Sequence, residues 1–235
     1  MSCVILLAGG KGARMGNKIP KQHLEVEKHQ IIEYTLKAFS ASENIEFIVI
    51  VSNKDYIDEM KNICKKFAKV KMILSGGRTR ALSTFNAIYA LKDYVDDDEK
   101  IIVSDAARPC VRISEIDKVL EALEQYNIVT TGVEVYETIL KTQNNSLAEI
   151  IQRDGVFRQT SPEGYRFKIL RKLYLEQSLD QIDKYNNIGI DQMFEKNENI
   201  GIIKCSPLNF KITTQEDIKM FEAVIEQGFE KFINS

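Results

Sequence analysis

The stretch CVILLAGGKGARMG, residues 3–16, sets the reading of the whole chain. Its first half is a short apolar run of the kind that forms a strand buried on both faces, and it breaks directly into glycines. A glycine loop at that point presents backbone N–H groups. With Lys11, Arg14 and Lys21 close behind, it offers a place for a polyphosphate. The loop is not a P-loop, because no G-x4-G-K-[ST] can be read through it. It also lacks the dinucleotide fingerprint: its glycines fall at Gly10, Gly12 and Gly16, and no acidic residue stands about 20 positions on at the end of a strand. The apolar run is too short for a signal-peptide core or a membrane span.

Working outward, FIVIV (residues 47–51), VKMIL (70–74) and KIIV (100–103) read as further strands buried on both faces. Segments of helical apolar period, 31–40, 55–67 and 80–91, lie between them. This alternation predicts an α/β fold, doubly wound, with a mostly parallel sheet. Such sheets bind ligands beyond the carboxyl ends of their strands. The loops to inspect are therefore GGKGARMG (9–16), SGGRTR (75–80) and SDAARPC (104–110), each following a strand. Residues 128–135 suggest another strand. The polar, weakly periodic stretch after it predicts a protruding β arm at about 135–160. A helix over 167–179, a strand over 200–205 and an amphipathic helix over 217–232 complete a single domain spanning 1–235.

With 32 Lys and Arg against 34 Asp and Glu, the net charge of -2 gives no electrostatic reason to expect nucleic acid. Cys3, Cys64, Cys110 and Cys205 are scattered without CxxC spacing, and His23 and His29 have no paired partners, so no zinc cluster is expected. Reduced thiols in a cytoplasmic protein with no membrane association fit this pattern. None of the cysteines has the histidine neighbour of a nucleophile; packing is the expected role for all four.

Four segments then appear together: LAGGKGARMGNKIPKQ (7–22), GGRTRALS (76–83), DAARPC (105–110) and NFKITTQED (209–217). In order and spacing they resemble the signature segments of the cytidylyltransferases that act on 2-C-methyl-D-erythritol 4-phosphate or on ribitol 5-phosphate. The match spans nearly the whole chain. The resemblance implies a Rossmann-like nucleotidyltransferase that joins CMP from CTP to a small phosphorylated polyol with Mg²⁺, releasing pyrophosphate, and that forms a homodimer through the arm. It implies that Leu7, Ala8, Gly9, Gly10, Lys11 and Gly12 wrap the triphosphate, while Arg14 and Lys21 stabilise charge on the α-phosphate. Gly77, Arg78 and Ser83 would lie by the cytosine, and Arg80 and Ala106 in the nucleotide pocket. Arg153 and Lys211 would hold the acceptor's phosphate and count with Arg14 and Lys21 as catalytic. Arg108 and Thr138 would also bind the acceptor, Thr138 from a neighbouring subunit.

Asp105 follows a buried strand directly, which puts its carboxylate at the sheet edge, able to hold Mg²⁺ or contact the nucleotide. The poverty of histidine also fits. A phosphate monoester has its second pKa near about 6, so the acceptor is already largely a dianion at neutral pH and needs no general base. The sequence departs from the family pattern at Arg78, where relatives carry an acidic residue, at Ser104 (histidine) and at Glu163 (glutamine). LAGGKGARMG and KITT favour the ribitol branch; DAARPC and IIQRDG (150–155) favour the methylerythritol branch. Three rival readings stand beside it: another sugar-phosphate or phosphonate acceptor, a non-catalytic nucleotide-binding module, and a hydride-transferring dehydrogenase. Retention of Arg14, Lys21, Asp105, Arg153 and Lys211 together argues against the second.

Overall fold

The computed structural model describes residues 2–10, 19–183, 188–196 and 198–235. The first half follows the expected alternation. It runs β1 (Ser2–Ala8), a short hairpin of β2 (Glu25–Val26) and β3 (His29–Gln30), α1 (Ile31–Ala41), β4 (Phe47–Ser52), α2 (Ile57–Cys64), β5 (Val70–Ser75), α3 (Arg80–Leu91) and β6 (Lys100–Asp105). Next come α4 (Ile113–Ala122), β7 (Ile128–Glu134), the hairpin β8 (Ile139–Gln143) and β9 (Ser146–Ile151), and β10 (Phe157–Arg166). The chain ends with α5 (Phe167–Tyr174), α6 (Leu179–Asp183), α7 (Ile188–Glu195), β11 (Ile200–Lys204), α8 (Gln215–Glu226) and α9 (Phe229–Ile233).

Seven strands form the central sheet in the order β11-β7-β10-β6-β1-β4-β5. All neighbours pair in parallel except at β10, which runs antiparallel to both β6 and β7. The alternation of side chains along β1 splits its residues between two cores. Val4, Leu6 and Ala8 join Ile31, Phe39, Ile116 and Phe221 on one face; Cys3 and Ile5 join Ala81, Ile88, Phe167 and Leu173 on the other. Both faces of β1 are covered, which is why its sequence is a continuous apolar run.

Four expectations change. The segment 70–74 is a strand, but not one buried on both faces: β5 is an edge strand, half exposed along its length. The helix expected over 55–67 opens as a 3-10 turn at Lys54–Tyr56 before the α-helix begins. The arm is shorter than 135–160, because β10 belongs to the main sheet from Phe157 onward and only the β8–β9 hairpin projects. The hairpin turns at Asn144 and Asn145, both with positive φ (51° and 62°), as a two-residue turn requires. The helix expected over 217–232 is two helices, broken at Gly228 with φ 97°.

Candidate active site

Strand order reverses at β1, whose neighbours β4 and β6 lead the chain to opposite sides. The carboxyl ends of β1 and β6 stay paired, but the chain leaves them toward opposite edges of the sheet, a switch point where open α/β sheets form their ligand crevice. A cleft of about 550 Å³ lies there. Its lining comes from four strand-end loops and from the far end of the chain. Leu7 near the end of β1 with Gly9 and Gly10 after it, Asn53 and Lys54 after β4, Gly76 to Arg80 with Ser83 after β5, Asp105 at the end of β6 with Ala107 after it, and Lys21, Gln22 and Lys211 make up the lining.

Asp105 is the electrostatic centre. Its Oδ2 accepts from Lys211 Nζ at 2.8 Å and lies 3.5 Å from Arg108 Nε, while its Oδ1 is 3.9 Å from Arg80 Nε. Burial would raise the carboxyl pKa, but Lys211, Arg80 and Arg108 outweigh burial and hold it at about 2. Arg80 also reaches Glu163 Oε1 at 3.3 Å. Burial works against its charge, yet Glu163 and Asp105 raise its pKa above the ordinary arginine value. Glu163 is buried and accepts from the Tyr165 hydroxyl at 2.7 Å. Burial and this carboxylate push the tyrosine pKa well up.

The 209–213 segment reaches the cleft because it is stitched to the loop after β6. Ile212 N donates to Ala107 O at 2.9 Å, Arg108 Nη1 donates to Asn209 O at 3.0 Å, and Asn209 Nδ2 donates to Ser161 O at 2.9 Å. Lys21 joins the same knot: its ammonium donates to Ile212 O at 2.7 Å, across 191 residues of sequence. Gln22 supports the first loop from below, donating from Nε2 to Ala8 O at 2.5 Å and to Gly10 O at 3.1 Å. The Ser104 hydroxyl meets that of Ser161 at 3.0 Å, so the residue replacing the family's histidine packs against β10 and does not face the cleft.

The structure thus brings together Leu7, Gly9, Gly10, Lys21, Gly77, Arg78, Arg80, Ser83, Asp105 and Lys211 of the expected site. Arg108 stands directly behind them on Asp105. Ala8 and Ala106 are buried beneath the cleft, and Ala107 lines it instead. Lys11, Gly12 and Arg14 lie outside the described residues. Arg153 and Thr138 do not reach the cleft of their own chain. Arg153 Nη1 donates to Tyr136 O at 2.8 Å at the root of the arm, and Thr138 is exposed just before β8. His23 stacks on Tyr56 and binds Gln30, away from the lining. Sequence reading missed Gln22, Asn53, Lys54, Gly76, Thr79 and Ala107 of the lining. Gln22 lies in the 7–22 segment, Gly76 and Thr79 in 76–83 and Ala107 in 105–110, so these carried a signal; Asn53 and Lys54 carried none.

Comparison with known proteins agrees with this geometry. Residues 2–227 match the model of the family IspD: 2-C-methyl-D-erythritol 4-phosphate cytidylyltransferase. The 2-C-methyl-D-erythritol 4-phosphate cytidylyltransferase of Thermosipho africanus is 32% identical over 216 residues, 92% of this chain and 94% of that protein. The ribitol-5-phosphate cytidylyltransferase of Lacticaseibacillus paracasei is 30% identical, over 97% of this chain and 99% of its own length. The crystal structure of a 4-diphosphocytidyl-2C-methyl-D-erythritol synthase from Anaerococcus prevotii superposes with a TM-score of 0.79 at 25% identity, covering 96% of each chain. A cleft at the switch point, cations gathered on one strand-end carboxylate and a family match over nearly the whole length lead to one conclusion: the chain belongs to the 2-C-methyl-D-erythritol 4-phosphate cytidylyltransferase family of CTP-dependent nucleotidyltransferases.

Proposed function

We propose that the chain transfers CMP from CTP to a small phosphorylated polyol of the kind its relatives use, 2-C-methyl-D-erythritol 4-phosphate or ribitol 5-phosphate. The observation that carries this reading is the cluster of Arg80, Arg108 and Lys211 around Asp105 at the switch point, with Lys21 lining the same cleft. In such a reaction an oxygen of the acceptor's phosphate forms a bond to the α-phosphorus as the bond to the β-phosphate oxygen breaks, and pyrophosphate leaves. Charge accumulates on the α-phosphoryl oxygens, and fixed cations lower the barrier by stabilising it. Lys21, locked to Ile212 O, is such a cation and loses little further freedom when substrate arrives. Lys211, which donates to Asp105 Oδ2, is a second cation and in this reading would hold the acceptor's phosphate. Arg14 belongs with Lys21 in this reading.

Asp105 suits Mg²⁺: it is ionised, it lies partly exposed at a strand end on the cleft, and a single protein carboxylate is typical where substrate phosphates supply the other ligands. When bound, Mg²⁺ would neutralise triphosphate charge and orient it.

Homodimerisation through the arm belongs to this reading. The β8–β9 hairpin exposes Leu140, Leu147 and Ile150, and a two-stranded hairpin is at best marginally stable alone. Arg153 and Thr138, remote from their own cleft, are then placed to serve a partner's. Function in the cytoplasm fits four free, buried cysteines; among the described residues no helix is long and apolar enough to cross a membrane.

The test is pyrophosphate release with CTP and Mg²⁺, run in parallel with each polyol phosphate and with none, with ATP, GTP and UTP as controls. Release with CTP and one acceptor is expected. Absence of CTP binding overturns the reading.

A further inference from the structure

The loop between β5 and α3 is held from two sides, and only the inner one belongs to the family's signature. On the inner side Gly77 N donates to Ser83 Oγ at 3.1 Å, and that hydroxyl donates to Thr79 O at 2.8 Å. Gly77 is pressed so closely on the first turn of α3 that an added Cβ would stand 2.5 Å from Leu82 Cβ. On the outer side stands Asp183, at the end of α6 and 104 residues away. Its Oδ1 accepts from the Thr79 hydroxyl at 2.8 Å, and its Oδ2 pairs with the Arg78 guanidinium. Thr79 in turn caps α3, accepting from Leu82 N at 3.2 Å. One carboxylate thus grips consecutive residues of the loop. Its own position is fixed by the neighbouring Ile182, which is fully buried in the core that contains Ala81.

We infer that Asp183 is a positioning residue that sets base selectivity: by clasping Arg78 and Thr79 to α6 it holds the 76–80 loop where its backbone can read a pyrimidine base. The inference rests on the nucleotide site proposed above. A base read by backbone groups is discriminated only as well as those groups are placed, since N–H and C=O directions decide which edge of the base is matched. Ser83 fixes the loop's depth against α3, whereas Asp183 fixes its lateral position. The ion pair alone is a weak anchor, because the Arg78 side chain is 72% exposed; the partly buried hydroxyl bond to Thr79 supplies the geometry. The clasp also engages the cation that stands in place of the family's acidic residue at position 78, drawing its charge toward α6.

Titration calorimetry with CTP and with UTP, in the parent, Asp183→Asn and Asp183→Ala, tests this without any acceptor, and a thermal melt of each variant confirms folding. The ratio of the UTP to the CTP dissociation constant is expected to fall about tenfold in Asp183→Ala. In Asp183→Asn, which keeps an acceptor for Thr79 but releases Arg78, it should fall about threefold. A purely structural role would weaken both nucleotides equally and leave the ratio unchanged, and an unchanged ratio in either folded variant overturns the inference. If Asp183→Ala does not fold, Asp183→Asn decides alone. A parent that binds neither nucleotide overturns the nucleotide site itself, an outcome distinct from a parent that discriminates and variants that discriminate equally well.

Discussion

Lys21 shows how a residue that looks like an ordinary surface lysine becomes part of a site. Its ammonium is almost wholly buried and bound to the carbonyl of Ile212, so its position is set by a segment at the other end of the chain. Lys21→Ala is expected to lower kcat/KM for CTP at least about 100-fold, equivalent to about 2.7 kcal/mol of transition-state stabilisation. Pyrophosphate release measures it, and an unchanged rate removes Lys21 from the chemistry. Gly77 makes the complementary point about space. Gly77→Ala places a methyl group against the side chain and backbone of Leu82, so the loop must move. A rise of about tenfold in KM for CTP with a smaller change in kcat is the expected result from steady-state kinetics.

The helix α4 owes its place to a carboxylate. Glu115 accepts from Arg112 N at 3.2 Å, as part of the helix's capping box, from Ser206 N at 2.5 Å and from Asn209 Nδ2 at 3.3 Å. It thereby ties α4 to the loop that carries Lys211. Burial raises its pKa, outweighing these donors and the nearby Arg112. The folded state therefore holds this proton more tightly than the unfolded chain, whose glutamates titrate near about 4.3. The contribution to stability is greatest below that value and is lost as pH rises through the folded pKa. The stability of the parent relative to Glu115→Gln should accordingly decline from about pH 4 toward neutrality. Urea unfolding of both proteins across that range checks it, and a constant difference would sink the assignment. The strand β10 is the element that sequence reading misjudged. FRQTSPEGYR looks like polar loop or arm, yet it is a strand between β7 and β6, buried from Thr160 to Tyr165. Its polar groups are matched one by one: Thr160 with Thr131, Ser161 with Ser104, and Glu163 with Arg80 and Tyr165. Hydropathy registers none of these pairings, and every partner but Tyr165 is distant in sequence.

Across the whole molecule, the cleft and the arm pull in different directions. Asp105, Arg108 and Lys211 form a cluster closed within one chain, whereas Arg153 and Thr138 sit at an arm with no cleft of their own. Deleting residues 135–145 should yield monomers with weakened acceptor binding and retained CTP binding, as read by light scattering and calorimetry. A dimeric, fully active deletion variant would refute dimerisation through the arm. The strands β1, β4, β5 and β6, the helices between them and the loops that end them were legible from residues alone because their signals are local: apolar period, glycine after a strand, and a carboxylate directly after a buried run. The tertiary structure alone decided that β10 runs antiparallel inside the sheet, that the arm ends before Phe157, and that Lys21, Asp105 and Lys211 share one knot. It also decided that Asp183 faces the loop between β5 and α3. Those are contacts between residues dozens to nearly two hundred positions apart. Hydrogen bonds and ion pairs of that kind depend on where the packed elements bring their side chains, which no local pattern of residue types encodes.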